Sequence, residues 1–338
     1  MTVRMVRFQG WRTGLVVEAG GERVVDLVAS LPAFARERPA EADLLRSLLP
    51  APEGGWEPLV RAWAEARVAV EDFLNAAAGA LEAGPTEGWV AHDLDQVALE
   101  APLPSRELRI FAAGGNFADH VARIQARRGE PVTAEEVAHR AQEEKRAGAP
   151  PWGFLVVPGL VRGDGATVEP PRGTRYLDYE AEVAAVLAEG GRDLSPEQVR
   201  FWAVAPFNDL SLRDGQEGGE AIDRGHYTWA LSKNFESGKS CGPWLTVADR
   251  LAVDRLEVRC HVNGALRQEF STAAMLYSFG ELAAFLSRFV ELRPGDVITS
   301  GTGAGTALDS GRDRYLRPGD LVEVEVSGFG RLRNRVAG

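Results

Sequence analysis

The sequence predicts an α+β fold, rich in strands, with a small N-terminal α+β domain ahead of a larger β-rich one. Three observations predict it. Stretches with alternating apolar and polar residues recur throughout the second half, the mark of strands. Helical patterns are few and do not alternate with strands as βαβ units would require. Turn signals built on Gly and Pro separate the strands at short intervals.

Val3 to Leu27 reads as short strands, with Gly20-Gly21 turning Leu15–Glu18 back on Arg23–Leu27. Helical spacing follows near Glu41–Leu49 and Leu59–Leu81, where Trp63, Ala66, Val70, Phe73 and Leu74 form a core face. Pro102 and Pro104 punctuate the chain, so we place a domain boundary there, dividing residues 1–105 from 106–338. Arg109 to Ala113 is a buried strand that ends in the close turn Gly114-Gly115-Asn116. Residues 121–150 form a polar, lid-like insertion. Thr133 and Glu136 make a capping box that opens a helix over Ala134–Ala147. Tyr179–Val186 and Phe201–Asp209 are strands, and Leu256–Val262 turns at Asn263-Gly264 into a hairpin. A second capping box, Ser278 with Glu281, opens a helix bearing Leu282, Phe285, Leu286 and Phe289. Arg-Pro-Gly-Asp occurs twice, at 293–296 and 317–320, each time as a turn into a strand. The last strands are Leu321–Val326 and Leu332–Val336.

The 38 basic and 49 acidic residues, net −11, show no basic stripe, which argues against a nucleic-acid partner. Cys241 and Cys260 offer no CxxC spacing, so neither a disulfide framework nor a zinc site is expected. The N-terminus has no apolar signal region and no run is long enough to span a membrane. A cytoplasmic, small-molecule protein is expected.

Glu180 and Glu182 leave one face of their strand, because side chains alternate with period two. Taken alone they read as a solvated face. Asp209 ends the next strand, and three carboxylates without Cys or His suit a hard divalent cation such as Mg²⁺. Gly301-Thr302-Gly303-Ala304-Gly305 lacks the helix of a dinucleotide site but could present N–H groups and the Thr302 hydroxyl to an anion. Gly238-Lys239-Ser240-Cys241-Gly242 matches G-x-S-x-G, but turn and strand follow it in place of the helix that motif needs. Of five histidines, His120 alone is placed like a catalytic base, just after the Gly-Gly-Asn turn.

Taken together, these segments resemble the fumarylacetoacetate hydrolase family from about Arg109 to Val336. The segments that carry the resemblance are Gly115–His120, Asp178–Glu182, Asn208-Asp209 with Arg213-Asp214, and Leu231–Lys233. Val262–Gly264 with Arg267-Gln268, Pro294–Asp296 with Gly301–Gly303, and Leu316–Val336 complete it. The resemblance implies a mixed β-sandwich or roll in the larger domain and a homodimer. It assigns Glu180, Glu182 and Asp209 to Mg²⁺, with Mn²⁺ or Ca²⁺ as alternatives. It assigns Lys233 and His120 to catalysis, and Arg213, Gln216, Thr302, Gly301 and Gly303 to the oxo-acid substrate. It implies C–C hydrolysis of an acylpyruvate-like acid. Hydratase, dehydratase, decarboxylase or isomerase chemistry on a related acid, or a non-catalytic binder, stand as alternatives. The chain departs from the family pattern at Phe117, at Leu155–Pro158 and at Arg123, where related hydrolases carry a Glu that partners the His. Glu135, Glu136, Glu143 or Glu144 of the insertion is expected to take its place.

Overall fold

The computed structural model describes residues 2–51, 54–84, 87–103, 108–217, 226–248 and 251–338. The boundary expected at 105/106 lies outside the described residues, as does the loop expected to run to Arg224.

The chain opens with strands β1 (Val3–Phe8), β2 (Arg12–Glu18) and β3 (Glu22–Asp26), the last two joined at Gly20-Gly21. Helices α1 (Leu27–Phe34), α2 (Pro39–Leu48), α3 (Glu57–Arg61) and α4 (Trp63–Ala83) follow, then β4 (Ala91–Asp93) and β5 (Leu99–Glu100). Next come β6 (Ile110–Ala113), helices α5 (Ala118–Arg127) and α6 (Ala134–Arg146), and strands β7 (Gly153–Val156), β8 (Val161–Arg162) and β9 (Thr167–Val168). Strands β10 (Leu177–Asp178), β11 (Ala181–Leu187), β12 (Phe201–Asp209) and β13 (Ser211–Leu212) precede helix α7 (His226–Lys233). The rest comprises β14 (Lys239–Cys241), β15 (Leu245–Val247), β16 (Glu257–Val262), β17 (Ala265–Ser271), α8 (Phe279–Ser287), β18 (Val297–Thr299), α9 (Ala307–Ser310), β19 (Leu321–Val326) and β20 (Gly330–Val336).

Two sheets pack against each other, as the strand-rich α+β reading requires. The larger runs β4-β3-β2-β1-β15-β12-β11-β18-β6-β7, and the smaller runs β17-β16-β19-β20-β9. The N-terminal strands are therefore continuous with the sheet of the larger domain, through the antiparallel pair β1–β15. Alternation along β11 explains the packing. Ala184 and Val186 face a core shared with α1–α4, while Val183, Ala185 and Leu187 face the smaller sheet. Both faces are buried, so this strand is apolar on both sides.

The local signals operate as read. Asn263 and Gly264 both have positive φ (51° and 78°), the geometry of a tight hairpin turn between β16 and β17. Both capping boxes form, at Thr133 with Glu136 and at Ser278 with Glu281. In each Arg-Pro-Gly-Asp turn the Asp carboxylate accepts from the Arg backbone N–H at 2.7 Å, and the Gly has φ near 90°. The expected insertion is two helices. Its second, α6, is held to α8 and the segment before it by Lys145, which donates to Leu276 O and pairs with Glu281.

Gly305 closes the glycine loop with φ +110°, and a Cβ there would lie 2.1 Å from Arg267 O on β17. Gly305→Ala is expected to destabilise the fold by at least about 2 kcal/mol, from positive-φ strain and the backbone clash together. Urea unfolding of the variant beside the parent measures this, and an unchanged midpoint would refute the packing role.

Candidate active site

Strand pairing brings the three carboxylates together. In the β11–β12 ladder Glu182 faces Phe207 and Ala181 faces Asn208, and the Asp209 N–H donates to Glu180 O at 2.9 Å. Glu180 sits just before β11, Glu182 within it, and Asp209 at the end of β12. One oxygen from each lies within 4.8 Å of the other two, and all three residues are buried.

Buried carboxylates need cations or hydrogen bonds. Arg213 and Lys233 both bind Glu180, and Lys233 Nζ also donates to Asp209 Oδ2 at 2.7 Å. Arg213 Nε donates to Asp178 Oδ2 at 3.0 Å. Asp178 in turn accepts from the Ala307 N–H at 2.7 Å, at the start of α9. A third cation, Lys239, is fully buried on β14, directly across from Asp209 in the ladder. Its Nζ lies 2.6 Å from Asp209 Oδ1 and donates to Leu210 O and Gly238 O.

These contacts set the protonation pattern. Glu180 is buried, yet Arg213 and Lys233 outweigh that and hold its carboxyl far below the usual range. Glu182 has no such cation. Burial, with Asp209 and Glu180 close by, pushes its carboxyl well above the usual range.

Glu182 Oε2 is buried without a hydrogen-bond partner, while Asp209 Oδ1, also without a well-directed hydrogen bond, is met by the Lys239 ammonium alone. Such atoms are costly unless something else satisfies them. With an all-oxygen donor set, they fit a divalent cation held by Glu180, Glu182 and Asp209.

A cavity of about 270 Å³ opens beside this cluster, lined by Glu180, Glu182, Arg213, Gln216, Lys233, Thr302 and His120 among others. His120 lies in the first turn of α5 and is 5% exposed. Its Nδ1 is 2.9 Å from Asp309 Oδ2 on α9. Asp309 is itself fixed by the Gly305 N–H (3.1 and 3.0 Å to its two oxygens) and the Ser310 hydroxyl. With Nδ1 turned to Asp309, Nε2 is the ring nitrogen left for the cavity.

The partner of His120 is thus Asp309 and none of the insertion glutamates. Glu136 is occupied in its capping box and Glu143 lies beside His139, both on exposed α6. Arg213, expected to meet substrate charge, has its guanidinium engaged by Asp178 and Glu180. Gln216 Oε1 stands 3.5 Å from Arg213 Nη1. Thr302 Oγ1 accepts from Gln268 Nε2 at 2.8 Å, which aims the hydroxyl. Gly301 and Gly303 serve packing: added Cβ atoms would meet Asn116 Cβ at 3.1 Å and the Phe270 ring at 2.5 Å. The G-x-S-x-G match is β14 and a turn, with Ser240 buried in the strand. Lys239, Asp178, Asp309 and Gln268 were not singled out for this site from the sequence. Asp178 and Gln268 fell within segments that carry the family resemblance, and Lys239 within the G-x-S-x-G match, but none of these signals pointed to this role.

Residues 109–337 match the family model described as fumarylacetoacetate (FAA) hydrolase C-terminal. The chain belongs to the fumarylacetoacetate hydrolase family. An oxaloacetate tautomerase of Bacillus subtilis is 28% identical over 253 residues, 74% of this chain and 76% of that one. A bifunctional isomerase/decarboxylase of 4-hydroxyphenylacetate degradation from Escherichia coli is 33% identical over 241 residues, 69% of this chain. That match spans 48% of the Escherichia coli protein, about half its length. A crystal structure of maleylpyruvate hydrolase from Sphingobium sp. SYK-6 shares the fold, with TM-score 0.65, 22% identity and 99% of each chain covered. The same hydrolase has been solved with manganese(II) and pyruvate. Members of this family are enzymes of small oxo acids, and the carboxylate triad is the place where such a member would hold its metal.

Proton linkage follows from Glu182. Its folded-state carboxyl binds a proton more tightly than in the unfolded chain, where glutamate titrates near 4.5. As pH rises from that ordinary value, the folded protein is left holding the extra proton, so metal-free stability falls. A cation needs the ionised form. Calorimetric titration with Mn²⁺ in buffers of different ionisation enthalpy is expected to show release of about one proton per ion. The metal-free melting temperature should decline with rising pH, and added metal should offset the decline. Buffer-independent heats would contradict this assignment.

Proposed function

We propose that this chain is a Mg²⁺-dependent hydrolase that cleaves a C–C bond in a small acylpyruvate-like 2-oxo acid. The observation that carries the reading is the buried His120–Asp309 pair, opening on the same cavity as the carboxylate triad. A divalent cation held by Glu180, Glu182 and Asp209 would supply Lewis-acid stabilisation of charge on the substrate oxygens. The protein's own residues supply the rest. Thr302, aimed by Gln268, donates to the substrate carboxylate. Asp309 fixes the His120 ring so that Nε2 takes a proton from water. The water oxygen adds to the distal carbonyl carbon, and the bond to the pyruvoyl methylene breaks. Its electron pair leaves as the enolate of the 2-oxo acid, beside the ammonium of Lys233. A proton delivered to that carbon from His120 gives the keto acid and the free carboxylic acid.

The tautomerase likeness favours a second reading. Without attack by water, the same base would move a proton between carbon and oxygen of a 2-oxo acid such as oxaloacetate. A panel of acylpyruvates, maleylpyruvate and oxaloacetate, followed by product analysis with and without chelator, separates the two. Chelation is expected to abolish turnover, and His120→Asn to lower kcat by at least about 100-fold. Unchanged turnover in that variant would end the reading of His120 as base. A panel without products would instead favour the non-catalytic binder.

We further propose a cytoplasmic homodimer. An apolar surface supports it: Trp152, Leu155, Val157 and Phe289 are each more than half exposed, with Leu155 and Phe289 at 66%. No helix of the described residues is long and apolar enough to cross a membrane, so this surface does not belong to a spanning helix. Analytical ultracentrifugation is expected to give twice the 36.5 kDa chain mass. Leu155→Glu combined with Phe289→Glu should shift the protein toward monomer.

A further inference from the structure

We infer that Arg127 and Glu217 are positioning residues that latch the catalytic arm, holding His120 against Asp309 over the cavity. The inference rests on the reading of that pair as the base.

Helix α5 carries His120 in its first turn and Arg127 at its last residue. Little apolar burial fixes this helix, since His120 and Ala122 are its buried residues. Beyond its packing on α6 and α9, polar links at its far end help to set its position. Arg127 Nη1 donates to Leu308 O, one residue before Asp309, so the two elements of the pair are stapled directly. Arg127 Nη2 lies 3.0 Å from Glu217 Oε1.

Glu217 is a hub. Its side chain is 6% exposed. Oε1 accepts from Tyr315 Oη at 2.8 Å, Oε2 from Arg312 Nε at 2.8 Å, and its carbonyl from Arg312 Nη2 at 2.6 Å. Its N–H donates to Arg213 O at 3.0 Å, and it follows Gln216, which lines the cavity. One buried carboxylate thus joins α5, the segment after α9 and the turn that carries Arg213 and Gln216. Charge-assisted bonds to a shielded carboxylate are stronger than exposed pairs. Removing Arg127 takes away both links and removing Glu217 takes away the ion pair that orients Arg127, while the triad, Lys233 and Lys239 keep their contacts.

The test compares Arg127→Met, Glu217→Gln and the conservative Arg127→Lys with the parent. Hydrogen exchange read by mass spectrometry is expected to quicken about tenfold across residues 118–127 in the first two, as local opening becomes easier, and to stay unchanged in β11 and β12. For the oxo acid that the parent turns over, kcat should fall about tenfold, as small misplacements of a base do. Affinity for Mn²⁺ with oxalate should stay within about twofold, because the latch touches no ligand of either. Arg127→Lys, which reaches one acceptor but not both, should fall between. Parent-like exchange in α5 would overturn the inference. So would a loss of Mn²⁺–oxalate affinity that matches the loss of kcat, since that reports general damage. Faster α5 exchange in a protein whose parent turns nothing over would keep the latch and remove the base.

Discussion

Four carboxylates, Asp178, Glu180, Glu182 and Asp209, are buried within one small region of this protein, and the rest of the site is arranged around that fact. Burial of like charges in a low dielectric is sustainable only with compensation. Three cations provide it, and each comes from a different part of the chain. Arg213 follows β13, Lys233 ends α7, and Lys239 stands on β14. Three positive charges against four negative ones leave one carboxylate unmatched. Glu182, the one without a cation, is where the imbalance appears, as a proton held well above the usual range. With that proton the cluster is neutral, and a dication taking its place would bring the net charge to +1, which an oxo-acid anion would then neutralise. The site is therefore balanced for a metal and an anion together.

The chemistry is divided between two supports. Glu182 and Asp209 stand on β11 and β12, central strands buried on both faces, and Glu180 directly precedes β11, so backbone pairing fixes the spacing of the triad. His120, the proposed base, stands on α5 and Asp309 on α9, short helices at the rim. A rigid platform suits cation binding, which tolerates little variation in ligand spacing. A rim-mounted base suits a family whose members perform hydrolysis, isomerisation, decarboxylation and tautomerisation. Stabilising charge on a chelated oxo acid is common to these reactions, whereas the placement of a proton acceptor and a water distinguishes them.

Much of this was readable from the chain where the signal was local. The period of two put Glu180 and Glu182 on one face, and both capping boxes and the Asn263-Gly264 hairpin formed where their residues stood. The partners of those residues were not readable, because they meet through tertiary structure. Asp309 lies 189 residues from His120 and carries no pattern of its own. Lys239 sat inside a spurious nucleophile motif, and only the register of β12 with β14 shows it facing Asp209. The glutamates of α6 were attractive by proximity in sequence, but that helix presents them to solvent beside α5.

Among the described residues, the N-terminal ones supply no side chain to the cavity, yet the site depends on them physically. Glu182 shares its face of β11 with Ala184 and Val186, and Asp209 shares its face of β12 with Ala203, Ala205 and Phe207. Further along, that same face is covered by Phe34, Leu59 and Phe73 of the N-terminal helices, and Trp56 and Trp63 meet Trp202 tilted and edge-on, with ring centroids 6.1 and 5.6 Å apart. Without this cover the strands would expose an apolar face at one end and solvate the carboxylates at the other. Water reaching Glu182 would relieve its raised pKa, weaken its pull on a cation and loosen the register that spaces it from Asp209. The pairing of β1 with β15 makes the cover part of the same sheet, so the shielding of this face of the carboxylate strands is built into the fold.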